Sequence, residues 1–573
     1  RIEGPLETVS TLLSQNLSWF YSIYPTSFKI MKIFFISFLM LYNNAQYKNE
    51  SMDQGSVVEY YKKLKDIIST NDGTRSFIIR TEDCHDQNAP FNQSQETRLR
   101  ITHNDHMISQ ITEGFINFNI KLTLQLSEVI TDIHSGDEKQ LGKIFVGFKS
   151  SNQLLDQLQI YSNNISSGYQ QNECCREGFC YSTIKPYSEK KTRKYTHSLY
   201  ENVSDYSQSV CGTYVDLVDI MDGQKHDVEF EMNLPFEDML ALQAFDLYPN
   251  RIVGDIEIRF YVKPAGLVYC QVDPRKIKEV KEFMEDSTIA STFKSIPIFK
   301  HGFTQIGNDS KIAALNVGSD KSITPTTESI TLSCLGLTVT ACKSNMFGFG
   351  VKESTLQAIE QMFSEPVSIP SQQLDYNAFP TAPTAAGVQG TMNSPLSNIT
   401  SITVVFPKHA NDYTCFDNPI YHNLQLTING KNYPDEPVST LGARFLQYQL
   451  VASELDGGIQ CTKEFEDSLT MPKNKDDGTR YKNTLSDASS FMINIQTERS
   501  RGGYLYDGLD SNGQNIPIQI RGQPIYSDAQ DTYFNYDESG QNHPPPPQLF
   551  ICRDTYFTVD TSNGLVYHPT GSP

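Results

Sequence analysis

Apolar and polar residues alternate along several stretches of this chain. The longest runs from Phe118 to Leu126, where every second residue is apolar. Side chains of a strand point alternately to opposite faces, so this period of two indicates half-buried β-strands. The alternation recurs at residues 228–234, 256–262, 424–428, 492–495, 516–520 and 550–559. Each apolar face needs a second sheet to cover it, which predicts sandwiches or barrels.

Helical patterns are few. A capping box at Ser56 and Glu59 opens a predicted helix that stops at residues 71–73. An N-cap and helix-starting proline at Asp273-Pro274 open a charged helix, interpreted as an interdomain connection. Two further short helices are predicted at residues 354–363 and 439–450, where apolar residues recur at helical spacing.

These patterns predict a domain division. Residues 1–51 are a leader outside the fold, and residues 52–272 hold a helix and the first strand-rich block. Residues 273–299 are the helical connection, and residues 300–573 form the second block. Long loops without periodicity are expected near residues 366–401 and 526–547, which are rich in Pro and small polar residues.

The leader has two interpretations. Met31-Lys32 followed by nine mostly apolar residues resembles a signal peptide, and it is too short to span a bilayer as a helix. The alternative is translated upstream sequence with a start at Met52. Both Met31 and Met52 lie beyond Trp19, the sole tryptophan, so the mature protein is expected to contain none.

Composition narrows the function classes. The 573 residues include 47 basic and 67 acidic side chains, a net charge of −20, which disfavours a protein that coats nucleic acid. The apolar share of 38% excludes intrinsic disorder. The eleven cysteines are an odd number without any CxxC pair, and Cys270, Cys334 and Cys552 fall in apolar strand-like runs. This usage fits a reducing compartment better than a disulfide scaffold.

Candidate chemistry is sparse. The sequence contains no phosphate loop, HExxH, GxSxG or dinucleotide fingerprint. His103 and His106 are interpreted as a loop pair, and Asp507–Gly513 as tight turns rather than a calcium loop. A further cluster lies near His197 and contains Cys174, Cys175, Cys180 and Cys211. Its spacing is poor for zinc, so it is interpreted as a loop, and whether it holds one disulfide is left open. We therefore predict no catalytic residues, no cofactor and no metal.

Several strings resemble a known family of viral coat proteins. They are residues 234–250 followed by 252–264 in the first block, and residues 424–434, 441–445, 491–500, 507–508 and 515–522 in the second. In order and spacing they are similar to the double jelly-roll major capsid proteins of Polinton/Maverick elements, polinton-like viruses and virophages, distant relatives of the adenovirus hexon. The likeness covers roughly Met52 to His568.

The resemblance implies an all-β fold of two tandem eight-stranded antiparallel jelly rolls with a few short helices and long loop insertions. It implies a structural protein of the virion shell, assembled inside the host cell as homotrimeric, pseudo-hexagonal capsomers with loops forming outward towers. The implied partners are further copies of the chain, neighbouring capsomers, a single jelly-roll penton protein and minor or cement capsid proteins, with no direct nucleic-acid binding.

Two other classes remain open. A secreted or surface-anchored lectin or adhesin is suggested by Met31–Leu41 and by seven Asn-x-Ser/Thr sequons, at Asn16, Asn49, Asn92, Asn164, Asn202, Asn308 and Asn398. A β-sandwich glycoside hydrolase is disfavoured because sugar-binding sites usually contain tryptophan. The only tryptophan, Trp19, lies in the predicted leader, outside the fold.

Overall fold

A computed structural model of the chain describes both strand-rich blocks. The described residues are 74–82, 95–126, 143–148, 150–172, 211–220, 222–262, 266–270, 304–305, 310–317, 323–380, 387–392, 397–405, 424–428, 431–438, 440–451, 492–498, 508–509, 516–521, 546–560 and 564–569, with residues 64, 66, 174, 196 and 198. The predicted leader, the predicted connection 273–299 and most of the loop 526–547 lie outside them. Of the helix predicted from Ser56, only Leu64 and Asp66 are described, and both are helical.

Twenty-two strands make up most of the described chain. The first thirteen are β1 (Thr74–Glu82), β2 (Gln95–Ile101), β3 (Ile108–Leu126), β4 (Lys143–Gly147), β5 (Leu155–Ser162), β6 (Ile165–Asn172), β7 (Gly212–Asp216), β8 (His226–Pro235), β9 (Ile256–Val262), β10 (Val268–Cys270), β11 (Thr304–Gln305), β12 (Ser310–Val317) and β13 (Ile323–Gly350). The others are β14 (Val367–Ala378), β15 (Gly387–Met392), β16 (Ile399–Val405), β17 (Leu424–Ile428), β18 (Lys431–Val438), β19 (Ile493–Gln496), β20 (Ile516–Arg521), β21 (Gln548–Asp560) and β22 (Gly564–His568). All seven predicted strand stretches are confirmed.

The first block forms one jelly roll. Its main strands pair in the orders β1-β13-β3-β8 and β2-β9-β5-β6, and every pairing is antiparallel. When the eight strands are lettered B to I in chain order, the two sheets have the orders B-I-D-G and C-H-E-F. This is the strand order of an eight-stranded jelly roll.

The second block repeats that order. Its sheets are β14-β21-β16-β19 and β15-β20-β17-β18, again antiparallel throughout. Lettered in the same way, they are again B-I-D-G and C-H-E-F, with β22 added beside β21. The predicted all-β class with two tandem jelly rolls is therefore what the strand order of this chain shows.

Helices are short in the described part of the chain. They are α1 (Asn250–Val253), α2 (Glu353–Met362) and α3 (Leu441–Val451), with 3₁₀ turns at Ser151–Leu154, Leu217–Ile220, Phe236–Asp238 and Leu240–Phe245. The helices predicted at residues 354–363 and 439–450 are confirmed as α2 and α3. In α2 the predicted apolar face is buried, since Leu356 and Ile359 expose 4% and 0% of their surface.

Two predicted boundaries differ from the structure. The first block was expected to end at residue 272, but β13 pairs with both β1 and β3 and so carries the first jelly roll to Gly350. Helix α2, rather than a helix after Asp273, stands between β13 and the first strand of the second roll. The expected loop at residues 366–401 contains strands β14 and β15 and the start of β16. In both places the partner strand lies far away in sequence, so the local pattern does not reveal the pairing.

Three long connections of the first roll lie at one of its ends. Successive strands run in opposite directions, so the D–E, F–G and H–I connections share an end. They span residues 127–154, 173–225 and 263–322, whereas the C–D and E–F connections opposite are 102–107 and 163–164, and the G–H connection opposite is 236–255. Strands β4, β7, β10 and β11 come from these three long connections and pair as one additional sheet, β11-β10-β4-β7.

Candidate functional site

The contact between the two jelly rolls is built from aromatic residues. Tyr169 on β6 packs against Phe557 and Tyr567 of the second roll, with ring centroids 5.8 and 5.0 Å apart. Phe245, in the connection after β8, lies 5.1 Å from Phe557. All four side chains are buried. Strand β6 and the connection after β8 of the first roll therefore pack against β21 and β22 of the second.

The same connection also reaches the B–I–D–G sheet of the second roll. Leu240 belongs to a buried cluster with Leu374 on β14 and Phe550 on β21, to which Tyr448 of α3 also belongs. This connection lies within residues 234–250, one of the strings that carry the family resemblance. Its apolar residues thus join two domains, which the local pattern alone did not indicate.

A charged network covers the outer face of the C–H–E–F sheet of the first roll. The Nε of Arg259 lies 2.6 Å from Oε1 of Glu257, and the Nε of Arg100 lies 3.0 Å from Oε2 of the same carboxylate. The guanidinium of Arg259 stacks over Tyr161, 3.9 Å from the ring centroid. Arg98 pairs with Glu96 at 2.6 Å along β2. The face is thus polar and nearly balanced in charge.

Glu257 is buried within that network, with 6% of its side chain exposed. Burial by itself raises the pKa of this carboxyl. The hydrogen bond from Arg259 and the positive charges of Arg259 and Arg100 outweigh burial, so the pKa of Glu257 lies below its ordinary value. The sequence pattern placed Glu257 on the polar face of β9, which is correct, but the two arginines cover it.

The outer face of the B–I–D–G sheet of the first roll has a different character. Phe77 and Ile79 on β1 expose 45% and 60% of their surface. Phe77 packs against Phe347 of β13 at 4.7 Å, and the guanidinium of Arg75 stacks on the same Phe347 ring while it pairs with Glu113. Strand β1 is the edge of its sheet within the described residues. Apolar side chains on an edge strand are unusual on an isolated soluble domain.

A partly buried ion pair joins the neighbouring strands β14 and β21 of the second roll. The Nε of Arg553 on β21 lies 2.5 Å from a carboxylate oxygen of Asp375 on β14, and its Nη2 lies 3.0 Å from the side-chain oxygen of Gln373. Arg553 also donates to the backbone carbonyl of Pro569, and Tyr567 donates to Gln373. Asp375 and Gln373 of this network lie within residues 366–401, which were predicted to be a loop.

The residues considered for metal chemistry are not brought together in the part of the chain that is described. Cys174 and Cys211 are buried, while Cys175, Cys180 and His197 lie outside the described residues. The Nδ1 of His103 lies 2.9 Å from Asp255, whereas His106 is buried beneath Gly348, and burial lowers its pKa. Among the described residues, no group of three or more His, Cys, Asp or Glu side chains is placed to hold a metal ion.

The remaining sequence candidates are placed only in part. Of Asp507–Gly513, Gly508 and Leu509 are described, and Leu509 forms a β-bridge with Ile399. Of the seven sequons, Asn164 is exposed in the turn between β5 and β6, while Asn398 is 8% exposed. None of the described helices has the length and apolar character needed to cross a membrane.

Comparisons with known proteins bear on the fold. No protein-family model matches the sequence, and no curated protein matches it. Among solved structures, the chain is similar to PBCV-1 VP54 as fitted into a reconstruction of the virophage Sputnik, with 7% identity, a TM-score of 0.44, and coverage of 87% of this chain and 98% of that one. The cryo-EM structure of Sputnik itself gives 9% identity, a TM-score of 0.44, and coverage of 88% and 89%. The mavirus major capsid protein gives 9% identity, a TM-score of 0.41, and coverage of 86% and 90%.

These identities are all below 10%, and the TM-scores are all below 0.5. The assignment of the fold itself rests on the strand order of this chain, B-I-D-G and C-H-E-F in each of two consecutive blocks.

Proposed function

We propose that this chain is a structural major capsid protein that forms homotrimeric, pseudo-hexagonal capsomers of an icosahedral virion shell. The observation that carries the proposal is the presence of two complete jelly rolls in one chain, with three long connections of the first roll at the same end. Three copies contribute six similar rolls, which is the number needed to fill a hexagonal position in a shell. The long connections then project together from one surface of the capsomer.

The contact inside the chain supports a ring. It joins unlike surfaces, because β6 and the residues near Phe245 on the first roll meet β21 and β22 on the second. Contacts between unlike surfaces generate closed rings when the rotation closes. Sandwich sheets also hide most strand edges, so many copies pack without aggregating through their edges. The function is structural, and no enzyme activity is proposed.

The proposed partners follow from this role. They are other copies of the chain within the capsomer, neighbouring capsomers, a single jelly-roll penton protein at the vertices, and minor or cement proteins. The net charge of −20 suits a shell that does not itself coat the genome.

The test is the oligomeric state of the purified full-length chain. Sedimentation should give a species of three times 64.7 kDa, and electron microscopy should show hexagonal blocks. A stable, monodisperse monomer at micromolar concentration contradicts the proposal, because capsomer interfaces of this kind are large and obligate. Heterogeneous glycans on a monomer would instead support the lectin or adhesin alternative.

A further inference from the structure

The two jelly rolls can be aligned residue by residue through a shared side-chain hydrogen bond. In the first roll, Asn117 of strand D donates to Asn233 of strand G at 2.7 Å. In the second roll, Thr403 of strand D donates to Asn494 of strand G at 2.6 Å. Both pairs are directly opposite each other in their ladders, and both have apolar residues before and after them on strand D. They therefore mark the same rung.

This rung extends across strand I to strand B in each roll. In the first roll it passes through Lys343 of β13 to Thr81 of β1. In the second roll it passes through Phe550 of β21 to Tyr376 of β14. The two B strands are thereby placed in register, and Thr81 corresponds to Tyr376.

Two residues earlier on the same face, Ile79 of β1 corresponds to Leu374 of β14. Leu374 is 5% exposed, in a buried cluster to which Leu240 of the first roll and Tyr448 of α3 both belong. Ile79 is 60% exposed, and its neighbour Phe77 is 45% exposed. Equivalent positions therefore differ in one respect: the second roll has a covering roll in the same chain, and the first roll has none among the described residues.

A chain of two rolls joined through unlike surfaces necessarily leaves one surface of each kind unused. The unused strand-B surface belongs to the first roll, and it carries the exposed Phe77 and Ile79. A second copy of the chain has the other kind of surface on its own second roll, where β18 is the strand that corresponds to β6 in the strand order. The contact between copies would then continue the contact that already exists between the rolls of one chain.

We propose that the outer face of β1 around Phe77 and Ile79 receives the second jelly roll of another copy of this chain. The inference rests on the proposed function and adds the surface through which copies join. Around the ring, this contact between copies alternates with the contact between the two rolls of each chain. Three copies then close into a ring of six rolls. Phe77 and Ile79 become buried in the ring as Leu374 is buried within the chain.

The first experiment compares the wild-type chain with Ile79→Asp by sedimentation over a range of concentrations. Replacing an apolar side chain in the contact by an aspartate should raise the concentration for half-dissociation of the trimer roughly tenfold or more. Ile165→Asp is the matched control, because Ile165 is 66% exposed but is the first residue of β6, which belongs to a different sheet of the roll from β1. The control should remain a trimer at the wild-type concentration.

Circular dichroism and a thermal melt establish that each variant is folded. If Ile79→Asp does not fold, the milder Ile79→Ser takes its place with the same expected direction. A wild-type chain that is monomeric contradicts the proposed function itself. A wild-type trimer that persists unchanged in folded Ile79→Asp overturns the inference about β1 and leaves the proposed function standing.

Hydrogen exchange gives a readout without substitution. Peptides covering residues 74–82 should exchange more slowly in the trimer than in monomer obtained by dilution, because an edge strand loses access to water on burial. Peptides covering residues 165–172 should be unaffected. If exchange of residues 74–82 is slow only in assembled particles and not in the isolated trimer, this face belongs to a contact between capsomers. That result would overturn the inference.

Discussion

Tyr169 of the first jelly roll and Phe557 of the second lie with their ring centroids 5.8 Å apart, and each exposes 1% or less of its surface. Tyr567 meets Tyr169 edge to face from the neighbouring strand. The two rolls of one chain are therefore joined by an apolar aromatic core rather than by a flexible hinge. Their relative arrangement should depend on this cluster.

Tyr169→Ala should lower the free energy of unfolding by about 3–5 kcal/mol, because it leaves a cavity where the ring packs. Tyr169→Phe keeps the ring and removes only the 2.7 Å hydrogen bond to Gln171, which should cost about 1 kcal/mol. Urea denaturation followed by circular dichroism measures both. Equal effects of the two variants would show that the ring does not stabilise the contact between rolls.

Glu257→Gln should destabilise the chain near neutral pH, since it removes the carboxylate that Arg100 and Arg259 share. The pKa of Glu257 is lower in the folded chain than in the unfolded one. A lowered carboxyl pKa stabilises the fold above the unfolded pKa, and this stabilisation is lost as pH falls through the folded pKa.

The stability difference between the wild type and Glu257→Gln should therefore be constant near pH 7 and shrink as the pH falls below about 4.5. Urea denaturation at a series of pH values measures it. Glu231→Gln on β8 is the control, because Glu231 is exposed and its substitution should change stability little. A difference that grows on acidification would contradict the lowered pKa.

Arg553→Met should lower the free energy of unfolding by about 3–5 kcal/mol, because it leaves the carboxylate of Asp375 partly buried without its partner. Arg553→Lys restores the charge but not the planar fork that reaches both Asp375 and Gln373. We expect the lysine variant to fall between the wild type and Arg553→Met in thermal stability. Full stability of Arg553→Met would show that the network is dispensable.

Strand periodicity revealed most of the fold. The alternation from Phe118 to Leu126 gave the correct buried face of β3, since the residues of the apolar set are at most 1% exposed. The resemblance of the second-block strings likewise placed β17, α3, β19 and β20 in the right order. These features are local, so a single sequence contains them.

The alternation of apolar and polar residues does not identify strand partners that lie far apart in sequence. Strand β13 pairs with β1 and β3, more than two hundred residues earlier, so residues 323–350 belong to the first roll and not, as predicted, to the second. Strand β14 was missed because residues 366–401 are rich in Pro, Ser, Thr and Ala and show no period of two. In the fold, Arg553 from β21 pairs with Asp375 and Gln373 of β14, a contact between strands that the local composition does not indicate.

The surface around Ile79 also could not be identified from sequence. The alternation of apolar and polar residues in a strand does not indicate which apolar face of a sandwich is left exposed to solvent. Only the register of the two rolls shows that Ile79 and Leu374 correspond and that one is exposed while the other is buried.

Cys334 should be unreactive in the native chain. It lies opposite Leu124 on the buried face of β13 with 2% of its surface exposed, and burial raises the pKa of its thiol to about 12. Since the thiolate is the reactive form, its population at pH 8 should be roughly a thousandfold lower than that of an exposed cysteine. This agrees with the interpretation of Cys334 as a small apolar core residue.

Alkylation of the native chain at pH 8, followed by peptide mass spectrometry, tests the expectation. Cys334 should stay unmodified during a period in which a cysteine introduced by Ile165→Cys, at a 66% exposed position, is fully modified. In urea both cysteines should react alike, because unfolding removes the burial that raises the pKa of Cys334. Comparable rates for the two cysteines in the native chain would mean that the sheet around β13 opens to solvent, which is incompatible with β13 as the central strand that completes the first jelly roll.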